Sequence, residues 1–386
     1  MLLNELKVSN LLSFGPGGMA LPLRPLNVLI GPNGSGKSNL IEVISLLQSA
    51  PRHLAAPVRE SSGIAEWLYK GERRPTARVE VLVNNPIGQM ALRHVLAFTQ
   101  AANRFDLVDE RIENETSFDG HADVYFYYRF QNNRPVLNVK GEQRFLQRED
   151  IDPEKSILSQ RKDPDQYPEI TYLGEQFEMI RIYREWTFGR YTIPRQPQKA
   201  DDRNDLLAED CRNLGLVLNR LRRDGQVKRA ILEGLKQLYD GIEDFDISIE
   251  GGTVQVFLQE SGFTIPATRL SDGTLRYLCL LTLLCDPSPP PLICIEEPEL
   301  GLHPDLLPTL ADLLVEASGR TQIIVTTHSD ILVDAMTEQP ENVVVFEKHD
   351  GQTRAERLDT QKLSVWLEKY RLGDLWTRGE LGGTRW

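Results

Sequence analysis

The 386-residue sequence has no apolar run long enough to cross a membrane, which argues against a membrane protein. A transmembrane helix needs about 20 consecutive apolar residues, and the apolar stretch at 275–285 is shorter, so it predicts a buried helix. The first ten residues also lack the charged start, apolar middle and cleavage site of a signal peptide. We therefore expect a cytoplasmic protein with no membrane partner.

Cysteine and basic charge are also scarce. The four cysteines have no C-x-x-C spacing and three lie in apolar segments, so we predict buried free thiols at Cys211, Cys279, Cys285 and Cys294. A formal net charge of −12 argues against a chain that coats nucleic acid through bulk attraction. Residues 218–229 are the best candidate for a local basic patch, although a solvated helix face explains the same charges.

The sequence does contain a glycine-rich loop between an apolar strand and a helix. The strand LNVLI is followed by Gly31, Pro32, Asn33, Gly34, Ser35, Gly36, Lys37, Ser38 and Asn39, and then by apolar residues at helical spacing. The pattern G-x-x-x-x-G-K-S lets backbone N–H groups turn around phosphates, and the helix points its positive end at the same anion. Lys37 would reach the β- and γ-phosphates of ATP, and Ser38 would place its hydroxyl on Mg²⁺.

An apolar strand that ends in acidic residues follows later in the chain, where 291–299 reads PLICIEEPE. Glu296 would hold Mg²⁺, and Glu297 would orient and deprotonate the attacking water. His328 comes directly after another apolar strand, which suits a hydrogen bond to the γ-phosphate or to the water. His303 lies between the acidic strand and the next helix, so a loop-ordering or subunit-contact role fits it better than catalysis.

The coarse organisation predicts an α/β protein with an antiparallel region. Short alternating stretches indicate antiparallel strands, Gly251-Gly252 indicates a hairpin turn, and 205–240 and 360–371 read as helices. We predict a single ATPase domain with four parts, namely a core lobe of 1–55 and 255–348, an antiparallel β region of 70–145, a helical and irregular lobe of 150–240, and a C-terminal tail of 349–386.

The order of the motifs resembles that of the ABC-type ATPases. The motifs are the phosphate loop, Leu270-Ser271-Asp272-Gly273-Thr274, IEEPE, GLHP and TTHS. Within these ATPases the chain looks like the branch of RecF, the SMC heads and the OLD-family nucleases, and most like its compact, AAA-labelled bacterial ATPases. The opening L-x-V-x-N and the closing LWTRGELGGTRW also look like that group. The resemblance implies a P-loop fold of ABC-ATPase type, with a mixed central sheet, an antiparallel β subdomain and a helical lobe.

The resemblance also implies roles for individual residues. Residues 270–274 would be the signature motif, which in such families contacts the γ-phosphate bound to the opposite subunit, so ATP would lie between two protomers of a homodimer. Gln160 falls in the family's Q-loop position and would touch Mg²⁺ or the water, with a plain polar loop residue as the equal alternative. Asp272, Thr274 and Glu296 depart from the transporter pattern, which leaves the hydrolysis rate open.

Three functions are compatible with these features. The first is an ATP-hydrolysing, dimerising ATPase that drives or gates an effector in anti-phage defence or DNA maintenance, with DNA as a possible ligand. The second is a slow, nucleotide-gated scaffold that sequesters a nuclease or toxin, and the third, which the signature fits least, is a transporter ATPase. The sequence has no long coiled coil, and the 58 residues after His328 are too few for an OLD-type nuclease domain. We therefore expect any nuclease or toxin to be a partner chain.

Overall fold

The computed structural model describes residues 1–118, 120, 122–131, 134–139, 142–146, 152, 154–184, 186 and 189–383, so the last three residues of the closing LWTRGELGGTRW segment lie outside it. Its strands are β1 (Leu3–Ser9), β2 (Met19–Pro22), β3 (Leu26–Ile30), β4 (Ala77–Val83), β5 (Leu92–Ala101), β6 (Arg104–Asn114), β7 (Phe126–Gln131), β8 (Arg134–Val139), β9 (Glu142–Phe145), β10 (Arg181–Tyr183), β11 (Gln198–Lys199), β12 (Ile242–Glu250), β13 (Thr253–Glu260), β14 (Phe263–Pro266), β15 (Leu292–Glu296), β16 (Gln322–Thr326), β17 (Val343–His349) and β18 (Gln352–Arg357). Its α-helices are α1 (Lys37–Ser49), α2 (Ala56–Glu60), α3 (Ile64–Trp67), α4 (Ile157–Gln160), α5 (Pro168–Glu178), α6 (Leu214–Leu221), α7 (Gly225–Lys236), α8 (Asp272–Leu284), α9 (Leu307–Ser318), α10 (Asp330–Asp334), α11 (Thr360–Leu367) and α12 (Leu372–Thr377).

A six-stranded mixed sheet, in the order β10-β15-β16-β3-β17-β18, carries the nucleotide-site motifs. Its first five strands are parallel, and β18 runs antiparallel to β17. The parallel strands are apolar on both faces because alternate side chains enter two cores, as Val28 and Leu29 of β3 do. The loops after β3, β15 and β16 leave the same edge of this sheet, and the phosphate-loop, acidic and His328 segments therefore lie together.

An eight-stranded antiparallel sheet covers the other side of α1. Its order is β2-β1-β4-β5-β6-β7-β8-β9, and its apolar face packs with α1 and α5 into one core. The sheet extends beyond the predicted antiparallel region, because β1 and β2 join it next to β4. With its mixed central sheet and antiparallel sheet, the structure confirms the predicted α/β fold of P-loop, ABC-ATPase type.

A third, smaller sheet packs with α6, α7 and α8 into the second core. Gly251-Gly252 forms the turn between β12 and β13, with φ of 56° and 78°, as predicted. The predicted helix over 205–240 is two shorter helices, because Asp224 accepts hydrogen bonds from the first amides of α7 and starts a new helix. The predicted helix over 360–371 likewise ends early, at Leu367.

Two expectations from composition can also be compared with the structure. Three cysteines are buried and free, as predicted, whereas Cys285 is partly exposed. The basic segment 218–229 is largely neutralised by ion pairs, namely Arg220 with Asp286, Arg222 with Asp246 and Lys228 with Asp244. No helix in the part of the chain that the structure describes is long and apolar enough to span a bilayer.

Candidate functional site

The phosphate loop is a tight turn with glycine at three positions whose backbone conformation other residues rarely adopt. Gly31, Gly34 and Gly36 have φ of 142°, 79° and 109°. A β-carbon on Gly31 would lie 2.2 Å from the carbonyl oxygen of Phe346, and one on Gly36 would lie 2.2 Å from Oγ1 of Thr353. The loop is therefore packed against β17 and β18 on one side, while its tip at Asn33, Gly34 and Ser38 is exposed.

Hydroxyl groups from two other segments hold the loop from behind. Thr353 of β18 donates to the carbonyl oxygen of Ser35 at 2.7 Å, and its Oγ1 lies 2.6 Å from Oγ of Ser13. Asn39 in the first turn of α1 donates to the same Ser13 hydroxyl at 2.6 Å. Because α1 has no side-chain cap at its start, the amides of its first turn are available to an anion.

Lys37 lies across the loop rather than in solvent. Its Nζ donates to the carbonyl oxygens of Gly31 at 2.7 Å and Pro32 at 3.2 Å. Burial lowers the pKa of Lys37 to about 8, although the nearby carboxylates of Glu297, Glu299 and Glu296 favour its charged form. The site thus holds a partly desolvated cation that phosphate oxygens would stabilise.

Ser38 and Glu296 supply two adjacent oxygen ligands of the kind that Mg²⁺ prefers. Oγ of Ser38 donates to Oε2 of Glu296 over 3.2 Å. Burial raises the pKa of Glu296, and the cation of Arg184, whose Nε lies 3.5 Å from Oε1, opposes this effect. A half-buried carboxylate beside a serine hydroxyl fits a magnesium ion that also takes ligands from the nucleotide.

Glu297 and His328 face each other next to the acidic strand. Oε1 of Glu297 lies 3.8 Å from Nε2 of His328, and both side chains are partly exposed. Glu297 has a φ of 46°, and its amide donates to the carbonyl oxygen of Thr326 at 2.9 Å, which ties the turn to β16. Burial and the Lys37 cation lower the pKa of His328, so its ring is neutral at pH 7 and can both donate and accept.

Glu299 orients the His328 segment, a role that the sequence analysis missed. Its Oε1 accepts from Oγ1 of Thr327 at 2.7 Å and from the amide of His328 at 2.8 Å. Its Oε2 is buried without a hydrogen-bond partner among the described residues. In the sequence, only its position as the last acid of IEEPE pointed to Glu299. An acid at that position is equally typical of a solvated turn.

Arg276 and Trp186 join the signature helix α8 to the acidic pair. Arg276 donates to the carbonyl oxygen of Glu297, and its guanidinium lies 4.5 Å from the centre of the Trp186 ring. Trp186 donates from Nε1 to the carbonyl oxygen of Glu296 at 3.2 Å. Burial lowers the pKa of Arg276 to about 10, so it stays charged and holds the strained backbone of Glu297.

The signature residues form the start of α8, as their sequence indicates. Oγ of Ser271 caps the helix by accepting from the amide of Thr274 at 3.0 Å. A β-carbon on Gly273 would lie 2.6 Å from the carbonyl oxygen of Gly301, which brings α8 against the GLHP loop. A cleft of about 260 Å³ opens there, lined in part by Ser271, Gly273, Thr274, Gly301, His303 and Asp305.

Arg195, which the sequence analysis also missed, braces the signature segment from the same chain. This buried side chain donates to Oδ1 of Asp272 and to the carbonyl oxygen of Leu270. The amide of Gly189 donates to the other Asp272 oxygen at 3.1 Å. The departure from the transporter signature at Asp272 therefore has a structural reason, because its carboxylate binds an internal arginine.

Two other predicted residues have local contacts. His303 is exposed and accepts at Nδ1 from the amide of Asp305 at 3.4 Å, which caps the turn that follows it. The amide group of Gln160 bonds to backbone groups of residues 152, 155 and 156. Its role at Mg²⁺ thus stays a prediction, and Arg184 after β10 is the residue beside Glu296.

Comparison with known proteins places this site in a family. The profile of the family described as "AAA domain, putative AbiEii toxin, Type IV TA system" matches residues 26–76 and 82–334. The sequences of curated proteins give no match.

Solved structures of Smc heads share the fold. An Smc head bound to the C-winged helix domain of ScpA is 16% identical, with a TM-score of 0.61 over 93% of this chain and 99% of that chain. The Smc head domain with an extended coiled coil, bound to the C-terminal domain of ScpA derived from Pyrococcus furiosus, is 14% identical, with a TM-score of 0.57 over 95% and 98%. The Smc head domain with a coiled coil and joint derived from Pyrococcus yayanosii is 12% identical, with a TM-score of 0.51 over 95% and 99%.

These Smc likenesses show a common ATPase-head fold. The family profile covers most of the chain, from β3 before the phosphate loop to α10 after His328. The protein therefore belongs to this AAA family, and its fold is that of the Smc heads.

Proposed function

We propose that the protein is a Mg²⁺-dependent ATP hydrolase that dimerises on ATP and drives or gates a partner effector in anti-phage defence or DNA maintenance. The observation that carries the proposal is the meeting of four groups at one sheet edge. These are the Lys37 ammonium, the Ser38–Glu296 pair, the Glu297 carboxylate and the neutral His328 ring. Together they supply phosphate binding, metal binding and a general base.

ATP binding uses the loop amides and Lys37. Without nucleotide, the partly desolvated Lys37 ammonium donates to the carbonyl oxygens of Gly31 and Pro32. When ATP binds, the β- and γ-phosphates replace these oxygens as its partners. Ser38 and Glu296 would hold the metal ion, which would neutralise charge on the phosphate oxygens. Arg184 also pairs with Glu42 at 2.5 Å, so it would keep a carboxylate partner if a metal took its place at Glu296.

Hydrolysis uses Glu297 as the base. A water between Glu297 and His328 gives its proton to the carboxylate while its oxygen bonds to the γ-phosphorus and the bond to the β-phosphate oxygen breaks. The neutral His328 donates to the γ-phosphate, and Glu299 keeps its segment in place. Arg276 holds the Glu297 backbone by donating to its carbonyl oxygen.

The separate location of the signature supports the proposed dimer. Among the described residues, no hydrogen bond joins residues 270–274 to the phosphate loop of the same chain. Ser271 and Gly273 line an open cleft instead. A second protomer whose bound γ-phosphate enters this cleft would meet the Ser271 hydroxyl and the helix N-terminus, both of which favour an anion.

The nature of the effector is inferred from context. The family description names an AbiEii toxin and a type IV toxin–antitoxin system, and two similar Smc heads are bound to domains of ScpA. Both support an ATPase that acts on another protein. A nuclease or toxin in trans fits the proposal, and DNA remains a candidate ligand that the assay below includes.

The second candidate is a slow, nucleotide-gated scaffold that sequesters its effector. The contact that favours it is the one between Arg184 and Glu296, because a cation beside the metal carboxylate competes with Mg²⁺. On this alternative ATP holds the dimer closed, and turnover is incidental.

Steady-state ATP turnover separates the two candidates when wild type is compared with Glu297→Gln. Loss of a general base lowers turnover by about 10²- to 10⁴-fold, while ATP binding is retained because Glu297 is not in the phosphate loop. Glu316→Gln, at an exposed residue of α9, is the matched control and should turn over like wild type. Turnover is measured with and without double-stranded DNA. If the wild type already has negligible turnover under both conditions, the hydrolase proposal fails and the scaffold stands.

A further inference from the structure

We propose that residues 372–383, called the strap below, position the phosphate loop relative to the His328 segment, with Gly383 and Glu347 as the positioning residues. The strap consists of α12 and the glycine-rich turn after it. Two of its contacts carry the proposal, one with α10 behind His328 and one with Gly31 at the start of the phosphate loop. The effect on nucleotide rests on the proposed function, whereas the effect on the loop itself does not.

The first end of the strap is fixed to α10, which begins two residues after His328. The amide of Gly373 donates to Oδ1 of Asp334 at 2.6 Å, and the amide of Leu372 donates to Oγ1 of Thr337 at 3.1 Å. A β-carbon on Gly373 would lie 2.4 Å from the carbonyl oxygen of Asp330. Leu372 and Leu375 of α12 are also buried, so apolar packing adds to these contacts.

The second end of the strap lies against the phosphate loop. Glu347 of β17 accepts the amide of Gly383 at 2.7 Å, and Trp376 donates from Nε1 to the Gly383 carbonyl at 3.3 Å. This amide and His349 hold the pKa of Glu347 below its usual value, so the carboxylate is charged at neutral pH. Both backbone polar groups of Gly383, its N–H and its C=O, therefore have side-chain partners.

Gly383 packs so closely that it leaves no room for a side chain. With a φ of 67°, it has a conformation that favours glycine. A β-carbon there would lie 3.3 Å from Cα of Gly31 and 2.8 Å from Cγ1 of Val345. On its other side Gly31 faces the carbonyl oxygen of Phe346, so Gly31 is enclosed between the strap and β17.

This enclosure has a consequence for the site. Gly31 provides one of the two carbonyl oxygens that accept from Lys37. By fixing the position of Gly31, the strap therefore fixes the positions of the Lys37 ammonium and of the first loop amides. Since α12 also contacts α10 behind His328, the strap connects the phosphate loop with the His328 segment. Loosening its second end should weaken ATP binding more than the chemical step.

The test compares Gly383→Ala with Gly351→Ala. Gly351, in the hairpin turn between β17 and β18, has a φ of 78°, and a β-carbon there meets no atom of the described residues within 4 Å. Gly351→Ala therefore introduces a similar backbone strain but no contact like that of Gly383 with Gly31 and Val345. We expect Gly383→Ala to raise the dissociation constant of ATP about tenfold with kcat within about twofold of wild type, and Gly351→Ala to match wild type.

Amide hydrogen exchange of the peptide over residues 29–38, without nucleotide, gives the second readout. Gly383→Ala should speed exchange there by about tenfold, and Gly351→Ala should not. Glu347→Gln keeps the shape but weakens the acceptor of the Gly383 amide, so it should shift both readouts in the same direction by less. If Gly383→Ala does not fold, the comparison of Glu347→Gln with wild type replaces it as the test.

Equal exchange and equal ATP affinity in all three variants and wild type would overturn the strap proposal while leaving the proposed function intact. Faster exchange in Gly383→Ala, in a protein whose wild type binds no ATP, would support the strap and refute the proposed function. Exchange that accelerates equally in Gly351→Ala would show general backbone strain and would also overturn the strap.

Discussion

At the scale of single residues, Lys37 determines how the site responds to pH. Its pKa is lowered to about 8 because it is buried, so the free protein loses this charge as the pH rises through that value. Bound phosphate favours the ammonium and raises the pKa. ATP binding above pH 8 must therefore be accompanied by proton uptake, and affinity falls as the pH rises.

We expect the dissociation constant of ATP to rise by up to about tenfold per pH unit above pH 8. Calorimetric titration at several pH values, in buffers of different ionisation enthalpy, measures both the affinity and the proton uptake. Lys37→Arg keeps its charge over this range, and its binding should lose the pH dependence. An ATP affinity of the wild type that is constant between about pH 7.5 and pH 9.5 would contradict this account.

Local patterns in the sequence identify some of these residues and not others. The phosphate loop and the acid at Glu297 are recognisable because their chemistry needs fixed residue types at fixed spacing. Arg184 and Arg195 are not, because they lie in a segment without hydrophobic period and act through contacts across 112 and 77 sequence positions, respectively. Such contacts exist only once the chain has folded.

At the scale of elements, the start of α8 depends on a second segment. Arg195 is buried, and the Asp272 carboxylate is the charged partner that it has among the described residues. Because the Arg195 guanidinium is buried while Asp272 is partly exposed, removing the Asp272 carboxylate leaves a buried cation without this charged partner. The signature segment should then lose its fixed orientation. The phosphate loop should be unaffected, because no hydrogen bond among the described residues joins it to residues 270–274.

Asp272→Asn should therefore lower ATP turnover by about tenfold or more while the affinity for ATP changes less than about twofold. Arg195→Lys should have a similar effect, and the double variant should be little worse than either single one, since both break the same contact. Asp205→Asn, which breaks the exposed Arg203–Asp205 pair, is the control. Strictly additive losses in the double variant would refute the bracing role of Arg195.

The elements themselves were predictable to different degrees. Four strands of the central sheet, β3, β15, β16 and β17, were recognisable as short apolar runs, because both of their faces are largely buried. The helix predicted over 205–240 was wrong in its continuity, because a local cap at Asp224 interrupts an apolar pattern that spans the break. Strand β10 has only three residues, Arg181–Tyr183, and is too short to show a period. The strand, and Arg184 directly after it, were therefore not predicted.

At the scale of the whole molecule, our proposal divides each nucleotide site between two protomers. One half is the phosphate loop with Glu296, Glu297 and His328, and the other is the cleft beside Ser271. The composition indicated neither a membrane protein nor a basic nucleic-acid coat, but it could not reveal this division. Our central claim is that ATP closes two protomers so that each half completes the other.

Sedimentation velocity of Glu297→Gln with ATP and Mg²⁺ tests this claim most directly. Slow turnover keeps ATP bound, so the chain of 43.9 kDa should sediment as a dimer with ATP and as a monomer without it. Adding Ser271→Arg, which fills the cleft with a long side chain, should abolish this association while ATP affinity stays within about twofold. Adding Ser364→Arg on the exposed helix α11 should leave the dimer intact. A Glu297→Gln protein that stays monomeric at saturating ATP, or a Ser271→Arg variant that still dimerises with ATP, would contradict the claim.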